Sequence, residues 1–364
     1  MGRETLPSLR IGQYETKYCV VQGGMSVRIA GENLVTAVTR CGGIGTFGGV
    51  GRGYGLEKYQ EYTPFEADRL ALKNDLKKAR KMHKKGVFAV NVLWAVSEYK
   101  ELVRTAVNNG ANIIVAGAGL PTDLPELTSD HPEVALVPIV SSLQAFDIIC
   151  RKWKKYNKLP DAVIVEEPST AGGHLGANFD HIYDENLKLK NVIPEIKKYI
   201  EDNNLNIPII GAGGIWNRVD IDRVLGYGAS GVQMATRFVT TKECDAPIQF
   251  KEKYINCKKE DIVLIKSPVG LPGRVIRTKF LDEIENKEIP KRKIKCSQCL
   301  RRCNLDQFCI MDALNKTYHG DVENGIVFAG SNTYRSEKIV RVKKLFNEWN
   351  RKRILGIFPR KVNT

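Results

Sequence analysis

The sequence predicts an α/β protein, a closed (β/α)8 barrel of the TIM type with a C-terminal extension. Two observations predict it. Eight short apolar segments alternate with helical segments between Tyr18 and about Val239, and strands separated by helices pair in parallel because each return needs a crossover. Glycines follow almost every predicted strand, whereas an open doubly wound sheet, the structural alternative, would favour one glycine-rich fingerprint after its first strand. We therefore expect a barrel over residues 1–245 and an extension over residues 246–364.

Each predicted strand is a short apolar run bounded by glycine, proline or polar residues. The strands are expected at residues 18–22, 42–46, 87–92, 113–115, 134–140, 162–165, 208–211 and 231–234. Apolar residues at helical spacing predict the segments between them. The helices are expected at residues 33–38, 66–85, 98–109, 143–156, 191–203, 220–225 and, at the end of the extension, 338–349. Residues 47–63 are rich in glycine and tyrosine, which predicts a long loop over one end of the barrel.

The composition is typical of a soluble globular protein, with 43% hydrophobic and 27% charged residues in 364. The sequence contains no apolar stretch of the ~20 residues that span a bilayer, and its first residues lack a signal-peptide core. These features predict a cytoplasmic protein without a membrane partner. The net charge is +15, but many lysines fall on one predicted helix face, so we expect a solvated surface and no nucleic-acid partner.

One predicted strand leads into the segment Ala171-Gly172-Gly173-His174-Leu175-Gly176. Gly172 and Gly173 allow the backbone to approach a ligand closely, because they carry no Cβ. Histidine titrates near neutrality and can therefore give or take a proton at working pH. A polar loop residue without a catalytic role is the alternative interpretation. Because the loops after all barrel strands meet at one face, we take His174 as the catalytic candidate.

Glycines also follow the last two predicted strands, in Gly213-Gly214 and before Ala235-Thr236. In barrels of this architecture these two loops commonly hold a phosphate through bare backbone N–H groups. Tight turns alone are the alternative. A phosphate site on one side and His174 on the other predict a cavity for a phosphorylated planar cofactor.

Four motifs of the chain, in this order, resemble those of a known family. They are Gln22-Gly23-Gly24-Met25, the segment 171–176, Gly211-Ala212-Gly213-Gly214-Ile215 and Gly231-Val232-Gln233-Met234-Ala235-Thr236-Arg237-Phe238. They are similar to those of the FMN-dependent nitronate monooxygenases, formerly 2-nitropropane dioxygenases, and of the related FMN-dependent enoyl-acyl-carrier-protein reductases. The resemblance covers roughly two-thirds of the chain. It departs from the usual pattern at Gly24, where proline is common, and at Ala235, where glycine is common.

The resemblance implies FMN as the cofactor. It implies that Met25 and Ser26 pack against the flavin ring, that Asn91 bonds it, and that His174 acts as a base on nitroalkanes or orients the substrate. Glycines and polar residues of the later motifs would surround the ribityl phosphate. The full set of expected cofactor-binding residues is Gly24, Met25, Ser26, Asn91, Gly172, Gly173, Gly176, Ala212, Gly213, Gly214, Gln233, Met234, Ala235 and Thr236.

The same resemblance implies an enzyme that oxidises alkyl nitronates with O2 to carbonyl compounds and nitrite. The alternative is reduction of an enoyl thioester on acyl carrier protein, with NAD(P)H as the electron source. A flavin-binding or nucleic-acid-binding module without catalysis is a third possibility. The sequence sets no expectation for the oligomeric state.

The C-terminal extension carries two further features. Residues 268–274 contain two proline–glycine breaks, which predict a lid-like loop over the barrel mouth. Cys296, Cys299, Cys303 and Cys309 lie within fourteen residues, so their thiolates are candidates for zinc or an iron–sulfur cluster. Reduced thiols are the alternative, and we assign no metal site. Residues 287–295 read as a charged connector and residues 351–361 as a basic tail.

Overall fold

The computed structural model describes residues 5–286, 296–303 and 308–350. The predicted connector 287–295 and the predicted basic tail lie outside them. The strands of the described residues are β1 (Leu9–Ile11), β2 (Tyr14–Thr16), β3 (Val20–Gln22), β4 (Gly45–Gly48), β5 (Phe88–Leu93), β6 (Ile113–Gly117), β7 (Ala135–Val140), β8 (Val163–Glu166), β9 (Gly173–His174), β10 (Ile209–Ala212), β11 (Gly231–Met234), β12 (Ile262–Lys266), β13 (Pro272–Ile276) and β14 (Val327–Phe328).

The helices of the same residues alternate with the barrel strands and then continue into the extension. They are α1 (Glu32–Arg40), α2 (Pro64–Met82), α3 (Tyr99–Asn108), α4 (Leu124–Leu127), α5 (Leu143–Trp153), α6 (Leu189–Asp202), α7 (Arg218–Gly226), α8 (Thr236–Val239), α9 (Ile248–Ile255), α10 (Lys279–Glu285), α11 (Ile310–Tyr318) and α12 (Val342–Trp349). Polar caps set several starts. Thr63 and Glu66 form a capping box at α2, and Asn217 and Asp220 form one at α7.

Eight parallel strands form the barrel, in the order β3-β11-β10-β8-β7-β6-β5-β4. A parallel bridge between Val21 and Ile44 joins the two ends of this order. Gln22 completes the junction, because its Oε1 accepts the Thr46 N–H at 3.0 Å and its Nε2 donates to the Thr46 carbonyl at 3.1 Å. The predicted closed (β/α)8 barrel is therefore confirmed.

The extension forms a small antiparallel sheet in which β13 pairs with β12, β14 and β9. The prediction of a loop over residues 268–274 is wrong in its second half, because β13 begins at Pro272. The reason is non-local: β9 and β12 supply backbone partners that the local sequence does not show, and proline is tolerated at the first residue of a strand. Leu271, just before β13, lines the cavity at the barrel mouth.

One hydrophobic cluster spans the barrel and the extension. Phe250 of α9, Val327 of β14 and Trp349 of α12 belong to the same buried cluster as the barrel strands. The division at residue 245 therefore remains a prediction. None of the helices in the described ranges is long and apolar enough to cross a membrane.

Candidate active site

The carboxyl ends of the barrel strands open into a cavity of about 420 Å³, which we call the wide cavity. A smaller cavity of about 60 Å³, the narrow cavity, adjoins it. The residues that line both are Glu166, Gly172, Gln233, Ala235, Thr236 and Gly330. The shared walls make the two cavities parts of one site.

Every residue that the sequence predicted to bind the cofactor or to act in catalysis lines this site. The wide cavity is lined by Gly24, Met25, Ser26, Asn91, Gly173, His174 and Gly176. The narrow cavity is lined by Ala212, Gly213, Gly214 and Met234. Gly172, Gln233, Ala235 and Thr236 line both. The structure thus brings the predicted residues together, while their binding and catalytic roles remain predictions.

His174 is held by the extension. It lies on β9, opposite Gly273 of β13. Its Nε2 is 2.8 Å from the Ser267 Oγ, and its ring meets the Phe328 ring edge-on, with 4.8 Å between the centroids. Burial lowers the pKa of His174 to about 4, because a low-dielectric site disfavours the charged imidazolium. At neutral pH the imidazole is therefore uncharged.

The Ser267 hydroxyl holds the imidazole ring of His174 in place. The Ser267 side chain is buried, and its Oγ accepts the Val269 N–H at 3.3 Å. The Ser267 hydroxyl can both donate and accept a hydrogen bond, so it can pair with Nε2 in either neutral tautomer of the imidazole. The contact fixes the position of the ring.

The narrow cavity depends on glycine. Gly213 and Gly214 have φ values of +105° and +65°, in the left-handed region that glycine adopts at little cost. A Cβ on either would lie 2.9 Å from an atom of the Thr170 side chain. The Asn332 amide from the extension donates to the Gly214 carbonyl at 2.6 Å and fixes this turn. Small residues thus leave the space that a ligand can occupy.

Three buried polar atoms of the site have no hydrogen-bond partner among the described residues. They are the Asn91 Oδ1, the Thr170 Oγ1 and the Gln233 Oε1. Buried polar groups are normally hydrogen-bonded, so unpartnered atoms around a cavity are the arrangement expected of a binding site without its ligand. A wide part with apolar walls and a narrow glycine-lined part fit a planar ring with a polar, phosphorylated tail. The residues present therefore fit a flavin nucleotide.

Several residues of the site were missed in the sequence. Glu166, Thr170 and Asn332 line the narrow cavity, while Ser267 and Phe328 contact His174. Asn332 lies in Ala329-Gly330-Ser331-Asn332, a glycine-containing polar turn that is a weak local signal. The others carry no local signal, because only the folded chain brings them to the cavity.

The four clustered cysteines lie outside this cavity. Cys296 and Cys303 are exposed, Cys299 and Cys309 are half-buried, and all four are free thiols. The Gln298 N–H donates to the Cys296 Sγ at 3.4 Å. Burial raises the pKa of Cys299 to about 11, against the opposing effect of a hydrogen bond with Ser297. In residues 5–286, 296–303 and 308–350 we find no group of three or more His, Cys, Asp or Glu side chains that could hold a metal ion.

Comparisons with known proteins identify the family of this chain. The family model "Nitronate monooxygenase" matches residues 8–350. A probable nitronate monooxygenase of Staphylococcus saprophyticus is 26% identical over 310 residues, which cover 78% of this chain and 83% of that protein.

Two solved structures share the fold. FabK from Thermotoga maritima has a TM-score of 0.69 at 23% identity and covers 92% of this chain, with 91% of its own length covered. Nitroalkane oxidase from Streptomyces ansochromogenes has a TM-score of 0.66 at 18% identity, with 91% and 94% covered. On the family match over nearly its whole length, the chain belongs to the nitronate monooxygenase family.

Proposed function

We propose that this flavin-dependent oxidoreductase binds FMN and oxidises alkyl nitronates with O2 to carbonyl compounds and nitrite. The reaction balances as two nitronate anions and one O2 giving two carbonyl compounds and two nitrite anions. One observation carries the proposal: an uncharged histidine faces the wide cavity, next to a narrow cavity that is lined by glycines. Family membership supports the same chemistry.

The residues that would hold FMN divide between the two cavities. Met25, Ser26 and Asn91 would contact the ring in the wide cavity, with the unpartnered Asn91 Oδ1 accepting from a ring N–H. Gly213, Gly214 and Thr236 would contact the phosphate in the narrow one. When bound, FMN supplies the electron acceptor for the substrate and the route of electrons to O2.

His174 would act on the neutral nitroalkane, the conjugate acid of the substrate. Its uncharged imidazole can accept the proton from the carbon next to the nitro group. Transfer creates an imidazolium beside a nitronate anion, and their attraction in a site shielded from water offsets the low pKa of His174. Ser267 would orient the imidazole through its contact with Nε2.

The alternative, FMN- and NAD(P)H-dependent reduction of an enoyl thioester, has one observation in its favour. The wide cavity extends between apolar side chains of the extension, Leu271, Leu314, Ile326 and Phe328, which suit a longer acyl chain better than a small nitronate.

Anaerobic reduction of the purified flavoprotein separates the two reactions. Separate samples receive ethyl or propyl nitronate, NADH or NADPH, and absorbance at the flavin bands is followed. We expect bleaching by the nitronate alone. Rapid bleaching by NADH or NADPH, followed by reoxidation with an enoyl thioester, would instead support the alternative. A protein that carries no flavin would contradict both.

We expect a cytoplasmic enzyme whose partners are the small-molecule substrate and O2. Retention of the protein on DNA at physiological salt would contradict the expectation that nucleic acid is not a partner.

A further inference from the structure

The junction of the two cavities has an acidic residue in its wall. Glu166 is the last residue of β8 and pairs in register with Ala212 of β10, which pairs with Gln233 of β11. Residues paired in this way point to the same face of the sheet. Because Ala212 is small, the longer side chains of Glu166 and Gln233 flank a gap, and both line both cavities.

Glu166 is the one ionisable side chain among the described residues that line the narrow cavity. No lysine or arginine of the described chain lines that cavity to neutralise an anion. A phosphate held there would depend on backbone N–H groups and on the hydroxyl and amide groups of Thr170, Thr236 and Asn332. A carboxylate in the same wall would repel it.

The charged groups around Glu166 offset this repulsion only in part. Burial raises the pKa of Glu166 to about 7, and the Arg274 guanidinium on β13 opposes that rise. The Arg274 Nη1 donates to the carbonyls of Pro168 and Ala171, so much of its hydrogen bonding holds the loop before His174. The neighbouring Glu167 carboxylate accepts from the Leu189 N–H and the Ser169 hydroxyl, and His174 on β9 is uncharged.

We propose that Glu166 is a cofactor-binding residue that holds the phosphorylated cofactor as a neutral carboxylic acid, so that binding takes up one proton. This inference rests on the proposed binding of FMN. A protonated carboxyl removes the like charge and gains an O–H donor. The Gln233 Oε1 in the same wall has no partner among the described residues, and it can accept a hydrogen bond from this O–H. Affinity for FMN therefore falls as the pH rises.

The dissociation constant of FMN, measured on the apoprotein by quenching of flavin fluorescence between pH 6.5 and 8.5, tests this. A group that ionises near pH 7 in the free protein and stays protonated in the complex weakens binding about 25-fold over this interval. We expect that loss in the wild type and in Glu195→Gln, a control at an exposed glutamate on α6. In Glu166→Gln, which carries a neutral amide of the same size, we expect a constant within about twofold across the range. A wild-type constant that does not change with pH, or an unchanged slope in Glu166→Gln, would overturn the proposal.

Two further measurements test the proposal on the wild-type protein, without the Glu166→Gln variant. Calorimetric titration at pH 8 in buffers of different ionisation enthalpy should show the wild type taking up about one proton per FMN. Riboflavin lacks the phosphate, so its dissociation constant should depend much less on pH. If the dissociation constants of riboflavin and FMN rise equally with pH, the electrostatic argument is wrong. If the wild type binds no flavin at any pH, the proposed function fails. If the wild type binds FMN without taking up a proton, only the inference about Glu166 is wrong.

Discussion

His174 is fixed by two contacts that come from different parts of the extension. Ser267 bonds one ring nitrogen, and Phe328 packs against the ring. The glycines before it and the short strand β9 place the ring at the wide cavity. At the scale of single residues, the chemistry of the site therefore depends on a side chain whose neighbours lie far away in the sequence.

Replacement of His174 by alanine should separate catalysis from cofactor binding. We expect His174→Ala to retain FMN and to lose about 100-fold or more in kcat/KM for a neutral nitroalkane, because the proton acceptor is gone. A preformed nitronate needs no proton transfer and should be affected less. Steady-state oxygen consumption measures both substrates. His181→Ala, at an exposed histidine paired with Asp184 in the same connection, is the control, and equal activity of the two variants would remove His174 from the mechanism.

The lowered pKa of His174 has a direct consequence for the pH dependence of the reaction. An ordinary histidine loses its base form as the pH falls through about 6.5, whereas His174 keeps it until the pH approaches about 4. With a neutral nitroalkane we therefore expect no loss of kcat/KM centred near pH 6.5. The fall should begin only below about pH 5. Initial rates between pH 4.5 and 7.5 measure this, and a single ionisation near pH 6.5 would contradict the assignment.

Among the secondary-structure elements, β10 and the turn after it show why small residues recur at this face. Gly211 has no room for a Cβ because Val224 of α7 would lie 2.4 Å away, and Gly213 and Gly214 are restricted by Thr170. Each of these glycines therefore allows two elements to approach more closely than a side chain would permit. The narrow cavity exists because the turn after β10 approaches the segment after β8 so closely.

An acidic side chain in this turn should abolish cofactor binding. Gly214→Asp introduces a Cβ at φ +65° and a carboxylate where the phosphate is proposed to lie. Both steric conflict and like charge oppose FMN. We expect the variant to purify without flavin absorbance, while the fold is retained by circular dichroism.

Gly226→Asp is the matched control for this turn. A Cβ on Gly226 meets no atom within 4 Å, so this variant should purify yellow. A fully yellow Gly214→Asp would refute the placement of the phosphate.

Sequence patterns predicted the barrel strands well, because each is a local apolar run that ends at glycine or a polar residue. They did not predict β9 and β13. The two-residue strand β9 is too short to show a periodicity. The proline and glycine at the start of β13 are residues typical of loops. Glu166 was missed for a related reason: an acid at a strand end is usually solvated, whereas burial raises the pKa of Glu166 to about 7. Asn332 contacts Gly214 across 118 residues of sequence, a relation that no local pattern contains.

In the molecule as a whole, Arg28 joins the barrel to the extension. Its Nη1 donates to the carbonyls of Gly51, Arg52 and Tyr54 at 3.0, 3.2 and 2.7 Å, and its Nη2 donates to the Asn315 Oδ1 of α11 at 2.8 Å. The guanidinium also lies 4.0 Å from the centroid of the Tyr318 ring. One buried side chain therefore connects the loop after β4 with a helix whose Leu314 and Thr317 line the wide cavity.

Removal of this connection should lower the stability of the protein. Arg28→Met keeps much of the side-chain volume but leaves buried carbonyls without a donor, which we expect to lower the free energy of unfolding by about 3 kcal/mol or more. Urea denaturation followed by circular dichroism measures this. Arg104→Met, at an exposed arginine of α3, should change stability by less than about 0.5 kcal/mol. If the two variants are equally stable, Arg28 does not join the two parts.

The pairing of β9 with β13 also has a consequence for synthesis on the ribosome. All eight barrel strands, ending with Met234, are translated before Ser267 and β13, so a nascent chain can contain every barrel strand while His174 still lacks the partners that hold it. We expect such an intermediate to be incapable of turnover. The order of translation thus delays the chemistry until the segment that shields it has been made.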